Sequence, residues 1–181
     1  MIKKITLLFL WVLVSCTSTS DPVSNPKQGF FDQLSLLCGQ SFPGYIAFPE
    51  GSDAQLRMEI QSCNDTEIRI PFQIDENKSR TWVIQISEKG LLLKHDHRKE
   101  DGSLDERTDY GGWAHDAGSV EQQFFLADAY TGKLIPEGIS NQWYMQVNKE
   151  KKEFVYYLER ETGPRFKAVF DLSQAVWGEK P

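Results

Sequence analysis

The strongest constraint on this chain is alternation. From Leu56 onward, apolar and polar residues take turns over short runs, Leu56-Arg57-Met58-Glu59-Ile60-Gln61 and then Glu67-Ile68-Arg69-Ile70-Pro71-Phe72. Successive side chains of a strand point to opposite faces, so these runs predict strands with one buried face. The pattern continues through Arg80 to Ile86 and Leu91 to His97, joined by Ser87-Glu88-Lys89-Gly90. Gly90 supplies the positive φ that a tight hairpin needs. Pairing Ile86 with Leu91 sets Ile84 opposite Leu93, Trp82 opposite His95 and Arg80 opposite His97. The inward face of this central hairpin is therefore apolar for most of its length and ends in a polar cluster.

The other strands are read in the same way. A three-residue loop, Cys63-Asn64-Asp65, pairs Ile60 with Ile68, Met58 with Ile70 and Leu56 with Phe72, and leaves Glu59 opposite Arg69 on the wet face. A one-residue slip would turn the whole apolar row outward, so that register is excluded. Pro71 then marks an edge or a bulge. Gln122 to Ala127, Trp143 to Val147, Phe154 to Leu158 and Arg165 to Leu172 follow. Leu158 faces Phe166, Tyr156 faces Ala168 and Phe154 faces Phe170. Arg98 to Asp109 reads as a charged solvated loop or a frayed extension of the strand, Tyr110-Gly111-Gly112-Trp113 as a turn allowing close backbone approach, and Thr131 to Gly138 as loop. Ala175-Val176-Trp177 is expected to dock back onto the core. A helix is predicted over Phe30 to Cys38, where Phe30, Leu34, Leu37 and Cys38 form one stripe and Gly39 is the stop. The fold class is all-β: an antiparallel meander curled into a lipocalin-like or related barrel or half-barrel with one N-terminal helix, the alternative being a β-sandwich.

The N-terminus changes what counts as the domain. Lys3 and Lys4 precede an apolar run, Ile5 to Val14, too short to span a membrane, which reads as a secretory signal. Its ending, Leu13-Val14-Ser15-Cys16, resembles the lipobox of bacterial lipoproteins. That resemblance implies cleavage before Cys16 and acyl chains, palmitate among them, that hold the protein on the lipid bilayer. Thr17 stands where an Asp would favour inner-membrane retention, so the outer membrane, facing the periplasm, is the expected location in a Gram-negative source. The alternative is an ordinary secretory signal with a coincidental cysteine. Residues 1–15 are thus expected as signal peptide, 16–29 as a lipidated flexible tether rich in Ser, Thr, Pro and Asn, and 30–181 as one β domain.

Removing the leader takes away two of the 20 basic residues and leaves all 26 acidic ones, a net charge of −8. Such a domain repels phosphate backbones, which argues against nucleic acid as a partner. Of the three cysteines, Cys16 is assigned to lipid, leaving Cys38 and Cys63 as an even pair in an oxidising compartment. A disulfide is expected, with two buried free thiols as the alternative.

Chemistry concentrates at the end of the central hairpin. His95 and His97 share one strand face about 7 Å apart, near enough to share a metal with His115 as third ligand. Arg80 opposite His97 opposes that reading, because a fixed cation beside a metal site is unfavourable. No cofactor is otherwise indicated. The competing readings are histidines held structurally by hydrogen bonds, and a polar or anionic small-molecule ligand held by Arg80, His95 and His97 over Trp82. The acidic residues between Asp96 and Asp109 lack the spacing of a calcium loop. Trp113, Trp143, Tyr144, Tyr156 and Tyr157 read as core and rim rather than a sugar platform. No nucleophile elbow, P-loop or dinucleotide fingerprint occurs. No catalytic residue is assigned, and the chain reads more as a binder than an enzyme.

Arg80-Thr81-Trp82, Gly90-Leu91, Leu93-Lys94-His95-Asp96-His97-Arg98, Glu100-Asp101-Gly102-Ser103 and Tyr110-Gly111-Gly112 resemble a family of uncharacterised bacterial secreted proteins. The resemblance runs from about Phe31 to Leu172 and includes Glu67 to Phe72. It implies a single exported domain and carries over no catalytic residue. The expectation is therefore an envelope lipoprotein that binds a small polar or anionic ligand in a β-barrel. The alternatives are a metal-dependent enzyme using His95, His97 and His115, and a structural or partner-binding envelope lipoprotein.

Overall fold

A computed structural model describes residues 25–177 of the chain. The expected signal peptide, Cys16 and the expected tether up to residue 24 lie outside the described residues. Helix α1, Pro26–Ser35, is followed by β1 (Gln40–Phe48), β2 (Leu56–Glu59), β3 (Ser62–Cys63), β4 (Glu67–Ile74), β5 (Asn77–Ser87), β6 (Gly90–His97) and β7 (Tyr110–Trp113). Then come β8 (Gln122–Leu126), a short helix α2 (Ala129–Leu134), β9 (Gln142–Asn148), β10 (Glu153–Arg160), β11 (Gly163–Asp171) and β12 (Val176–Trp177).

The strands form one antiparallel sheet in the order β7-β6-β5-β4-β2-β1-β11-β10-β9-β8, an up-and-down meander whose first strand pairs with β11. The two ends of that path meet. Ala114 bridges Phe125, the His115 N–H donates to Phe124 O at 2.7 Å, and the Asp128 N–H donates to Gly111 O at 2.9 Å. The sheet is therefore a nearly closed barrel, which removes the exposed edges an open sheet would carry.

The central hairpin has the register that alternation predicts, from Arg80↔His97 through Trp82↔His95 to Ile86↔Leu91, with Gly90 at φ +116°. The β10–β11 pairing also follows the expected rows. The first hairpin differs. Met58 faces Phe72 and Leu56 faces Ile74, a shift of two residues, while Ser62 and not Glu59 faces Arg69. Even-numbered slips keep the same side chains inward, so parity alone cannot distinguish them. The shift is absorbed between Glu59 and Ser62, where the Ile60 backbone bonds to Gln40 of β1 and to Gly39 just before it. That irregularity lies opposite Ile70 and Pro71, so the proline sits at a break in the ladder and not on an edge.

Four further expectations are corrected. The helix begins at Pro26, where the proline is pre-set for a first turn and the Asn25 side chain accepts from Lys27 N, so residues 26–29 are helix and not tether. It ends at Ser35, and Leu36 is 79 % exposed. Tyr110 to Trp113 is strand, not turn; its glycines let β7 lie against Leu93 O on one side and Leu126 O on the other. Part of the Thr131–Gly138 loop is helical, capped by the Asp128 side chain. Val176-Trp177 adds to the start of β1 as a short strand and stays exposed, rather than docking on the core.

The barrel interior is a packed core. Trp143, Phe42, Phe125, Phe154 and Phe170 are fully buried and Trp82 is 2 % exposed; burial of each such ring contributes about 2–3 kcal/mol. One end is stoppered by α1, whose Phe30, Phe31 and Leu34 enter the core and whose Lys27 ammonium pairs with Asp116 at 2.7 Å. The Cys38–Cys63 disulfide joins the segment after α1 to β3. The other end is the mouth at which Arg80 and His97 stand.

Candidate functional site

β5 and β6 present Arg80, Trp82, His95 and His97 on the inner face, and depth separates them. Trp82 is core. It stacks between Phe72 at 4.6 Å and Tyr156 at 4.4 Å, ring centroid to centroid. His95, paired directly opposite Trp82 and 3 % exposed, is stacked on Tyr110 at 4.5 Å. Its Nδ1 is 3.1 Å from the Tyr110 carbonyl oxygen, which can only accept, so Nδ1 carries the proton. Nε2 is then an acceptor, and the Tyr156 hydroxyl 2.8 Å away donates to it. Burial pushes the His95 pKa down to about 3, against a smaller upward effect of the Tyr110 carbonyl. This imidazole is neutral, fully bonded and structural.

Nearer the mouth the groups are half-buried. The Tyr110 hydroxyl lies 3.2 Å from His97 Nε2 and donates to it when His97 is neutral. Burial lowers the His97 pKa, with the charge of Arg80 acting the same way. Burial pushes the Tyr110 phenol up to about 12, opposed by Arg80. The His97 backbone N–H donates to Thr108 Oγ1, and Asp105 N donates to the His97 carbonyl, so the segment after β6 folds back along the rim rather than fraying. Arg80 itself makes no side-chain hydrogen bond or ion pair among the described residues. Two carboxylates act on His97 by charge, Asp105, which accepts from the Arg107 backbone N–H, and Asp96. Asp96, on the outer face, holds Arg69 and Arg98, and its own pKa is lowered chiefly by the Arg98 hydrogen bond. The mouth thus carries an unpaired guanidinium, an imidazole and a phenol, which together suit an anion or a hydrogen-bond acceptor.

His115 does not join this group. It is exposed at the opposite, α1-capped end of the barrel, where its Nδ1 accepts from Ala117 N at 3.1 Å. Among the described residues no three His, Cys, Asp or Glu side chains are placed to share a metal ion. The three-histidine metal reading is therefore corrected. His95 spends both ring nitrogens on the protein, and His115 is separated from the pair by the length of the barrel.

Sequence reading missed Tyr110, hidden in a segment taken for a turn, and Tyr156, placed on the inward row without a role. The available signal was the hydroxyl: a tyrosine set inward among phenylalanines requires a buried partner. Of the aromatic residues read as core and rim, Trp143 and Tyr156 are core, while Trp113, Tyr144 and Tyr157 lie on the outer wall. No model of a known protein family matches the chain, and a comparison with curated proteins finds no match.

Proposed function

We propose that this chain is a lipid-anchored protein of the bacterial envelope whose barrel binds a small anionic or polar ligand at the Arg80 mouth. The observation that carries the binding reading is Arg80: a half-buried cation with no carboxylate partner among the described residues, facing His97 and Tyr110. A guanidinium withdrawn from water without a counter-charge gains from an incoming anion, which it can hold through two parallel hydrogen bonds. The packed interior confines the ligand to the mouth and leaves no lipocalin-type calyx for it. Leu13-Val14-Ser15-Cys16 supports membrane anchoring through Cys16, and Thr17 after it supports an outer-membrane, periplasm-facing location in a Gram-negative source. The resemblance to secreted bacterial proteins supports a single exported domain.

Titration of the full chain in zwitterionic detergent with inorganic phosphate and with acetate tests the site. Saturable heat from at least one anion, lost in Arg80→Gln, is expected; parent and variant behaving alike overturns the reading. The anchor is tested separately: labelled palmitate should enter the parent and not Cys16→Ala. A second reading, an envelope protein that works by holding a partner protein, is favoured by one observation. Trp177 packs beside Gly39, and Leu36, Val176 and Trp177, 79 %, 53 % and 73 % exposed, are apolar side chains that a partner could cover.

A further inference from the structure

On the outer wall, away from the mouth, register brings four side chains into one row across four strands: Phe124 on β8 faces Tyr144 on β9, which faces Tyr157 on β10, which faces Lys167 on β11. The next row towards the mouth sets Gln142 opposite Glu159. These six residues line a cleft of about 300 Å³. The rings are not parallel. Phe124 and Tyr144 are tilted at 5.6 Å, while Tyr144 and Tyr157 meet edge to face at 6.2 Å and 85°, so one ring forms a floor and the other a wall. Hydrogen bonds steady both phenols, Tyr144 to Gln146 Oε1 at 2.7 Å and Tyr157 to Glu159 Oε2 at 3.0 Å. The Gln142 amide and the Lys167 ammonium have no side-chain bond among the described residues.

We propose that this cleft is a glycan-binding site that takes a neutral oligosaccharide, one pyranose ring lying against Tyr144 and Tyr157 with its hydroxyls on Gln142, Glu159 and Lys167. The floor-and-wall rings match the two kinds of surface a pyranose offers. Its axial C–H bonds, slightly positive, meet the negative face of an aromatic ring. Its equatorial hydroxyls each donate and accept, and the edge of the cleft holds an amide, a carboxylate and an ammonium to meet them. Glu159 against Lys167 leaves the cleft without net charge, which favours a neutral sugar over an acidic one. An apolar partner would strand Gln142 and Lys167 without water. An added peptide strand finds no free backbone here, because β9 and β10 are paired on both sides.

The test is calorimetric titration of the full chain, in zwitterionic detergent, with chitotetraose, cellotetraose and maltotetraose. Saturable binding of at least one is expected. Tyr144→Ala and Tyr157→Ala should each weaken it by about tenfold, whereas Tyr144→Phe keeps the ring and should bind like the parent. Gln142→Ala and Lys167→Ala, on the surface of a folded strand, should weaken binding severalfold. Arg80→Gln should leave it unchanged, which separates this site from the mouth. Circular dichroism confirms that each variant is folded. Absence of saturable heat with all three glycans, or binding indifferent to Tyr144→Ala and Gln142→Ala alike, overturns the proposal. So does self-association that Tyr144→Ala abolishes, which would assign the face to a second copy of the chain.

Discussion

The Tyr156 hydroxyl donates to His95 Nε2 across 2.8 Å in the interior of the barrel, joining β10 to β6 through two side chains that are 5 % and 3 % exposed. With the Tyr110 carbonyl holding Nδ1, the imidazole has both nitrogens satisfied. The bond also ties the two halves of the meander together across the core, which ladder hydrogen bonds between neighbouring strands cannot do.

Tyr156→Phe tests that bond. The ring stays stacked on Trp82, so packing is kept, but His95 Nε2 is left as a buried acceptor without a donor. The expected loss is about 1–3 kcal/mol, read as a lower urea midpoint with unchanged slope. A midpoint equal to the parent's would mean that a water replaces the hydroxyl.

The same histidine sets a pH dependence. In the folded protein burial holds its pKa at about 3, whereas in the unfolded chain it titrates at the ordinary value of about 6.5. Between these values the unfolded state binds more protons, so stability rises with pH. The contribution is fully present above about pH 6.5 and is lost progressively as pH falls towards 3, by up to about 5 kcal/mol in all. His97, also shifted downward, adds in the same direction. His95→Gln removes the titrating group, so its unfolding free energy should vary less between pH 7 and pH 5 than the parent's. Equal slopes would rule out His95 as the source.

Closure of the barrel depends on a backbone approach at β7. A Cβ on Gly112 would lie 1.7 Å from Leu126 O, and one on Gly111 would lie 1.9 Å from Leu93 O. These are backbone atoms of the flanking strands, which cannot swing aside as a flexible side chain would. Gly112→Ala should therefore open the β7–β8 seam and cost at least about 3 kcal/mol. Thermal unfolding reads the loss, and faster exchange of the His115 and Asp128 amides locates it.

How much of this was legible in the sequence depends on what each element required. The central hairpin could be registered to the residue, because Gly90 fixes the turn and parity fixes the face. The first hairpin could not, because registers two residues apart bury the same Leu56, Met58 and Ile60. Strand β1 went unread, because Gln40–Phe48 shows no clean alternation and carries Pro43-Gly44 in its interior. The structure needs that glycine because the Phe170 side chain and Val169 O would lie 2.5 and 2.6 Å from a Cβ there. The site was legible as a face but not in depth. Alternation says that Arg80, Trp82, His95 and His97 point inward; only the volumes of Phe72, Trp143 and Tyr156 decide that two of them are sealed in the core. His115 looked available as a third ligand because sequence distance does not tell which end of a barrel a residue reaches.

The Cys38–Cys63 bridge closes a loop with a sequence separation of 25. It anchors the end of α1 to the sheet beside β3, where the ladder to β4 is only two residues long. Reduction, or the double substitution Cys38→Ser with Cys63→Ser, should lower stability by about 3 kcal/mol in the chain-entropy model. Because α1 stoppers the barrel, the region that loosens first should be Phe30 to Leu34. Hydrogen exchange with and without reductant reads this; uniform loosening would mean that the bridge acts only on the unfolded chain.

At the mouth, anion binding and protonation should be coupled. His97 is held below its ordinary pKa by burial first and then by Arg80, with Asp105 and Asp96 pulling the other way; the Tyr110 phenol, itself pushed up to about 12, faces it uncharged. An anion seated on Arg80 would offset the guanidinium charge and favour the imidazolium, raising the His97 pKa in the complex. Binding then takes up protons, and affinity for inorganic phosphate or acetate should increase as pH falls through the mildly acidic range, provided the anion keeps its charge. His97→Gln, which cannot be protonated, should bind with an affinity almost flat over that range, while Tyr110→Phe, which loses only the hydroxyl donor, should keep the pH dependence. Calorimetry in two buffers of different ionisation enthalpy reads the proton uptake directly. Zero uptake in the parent would separate His97 from the anion and leave Arg80 as the sole cation at the mouth.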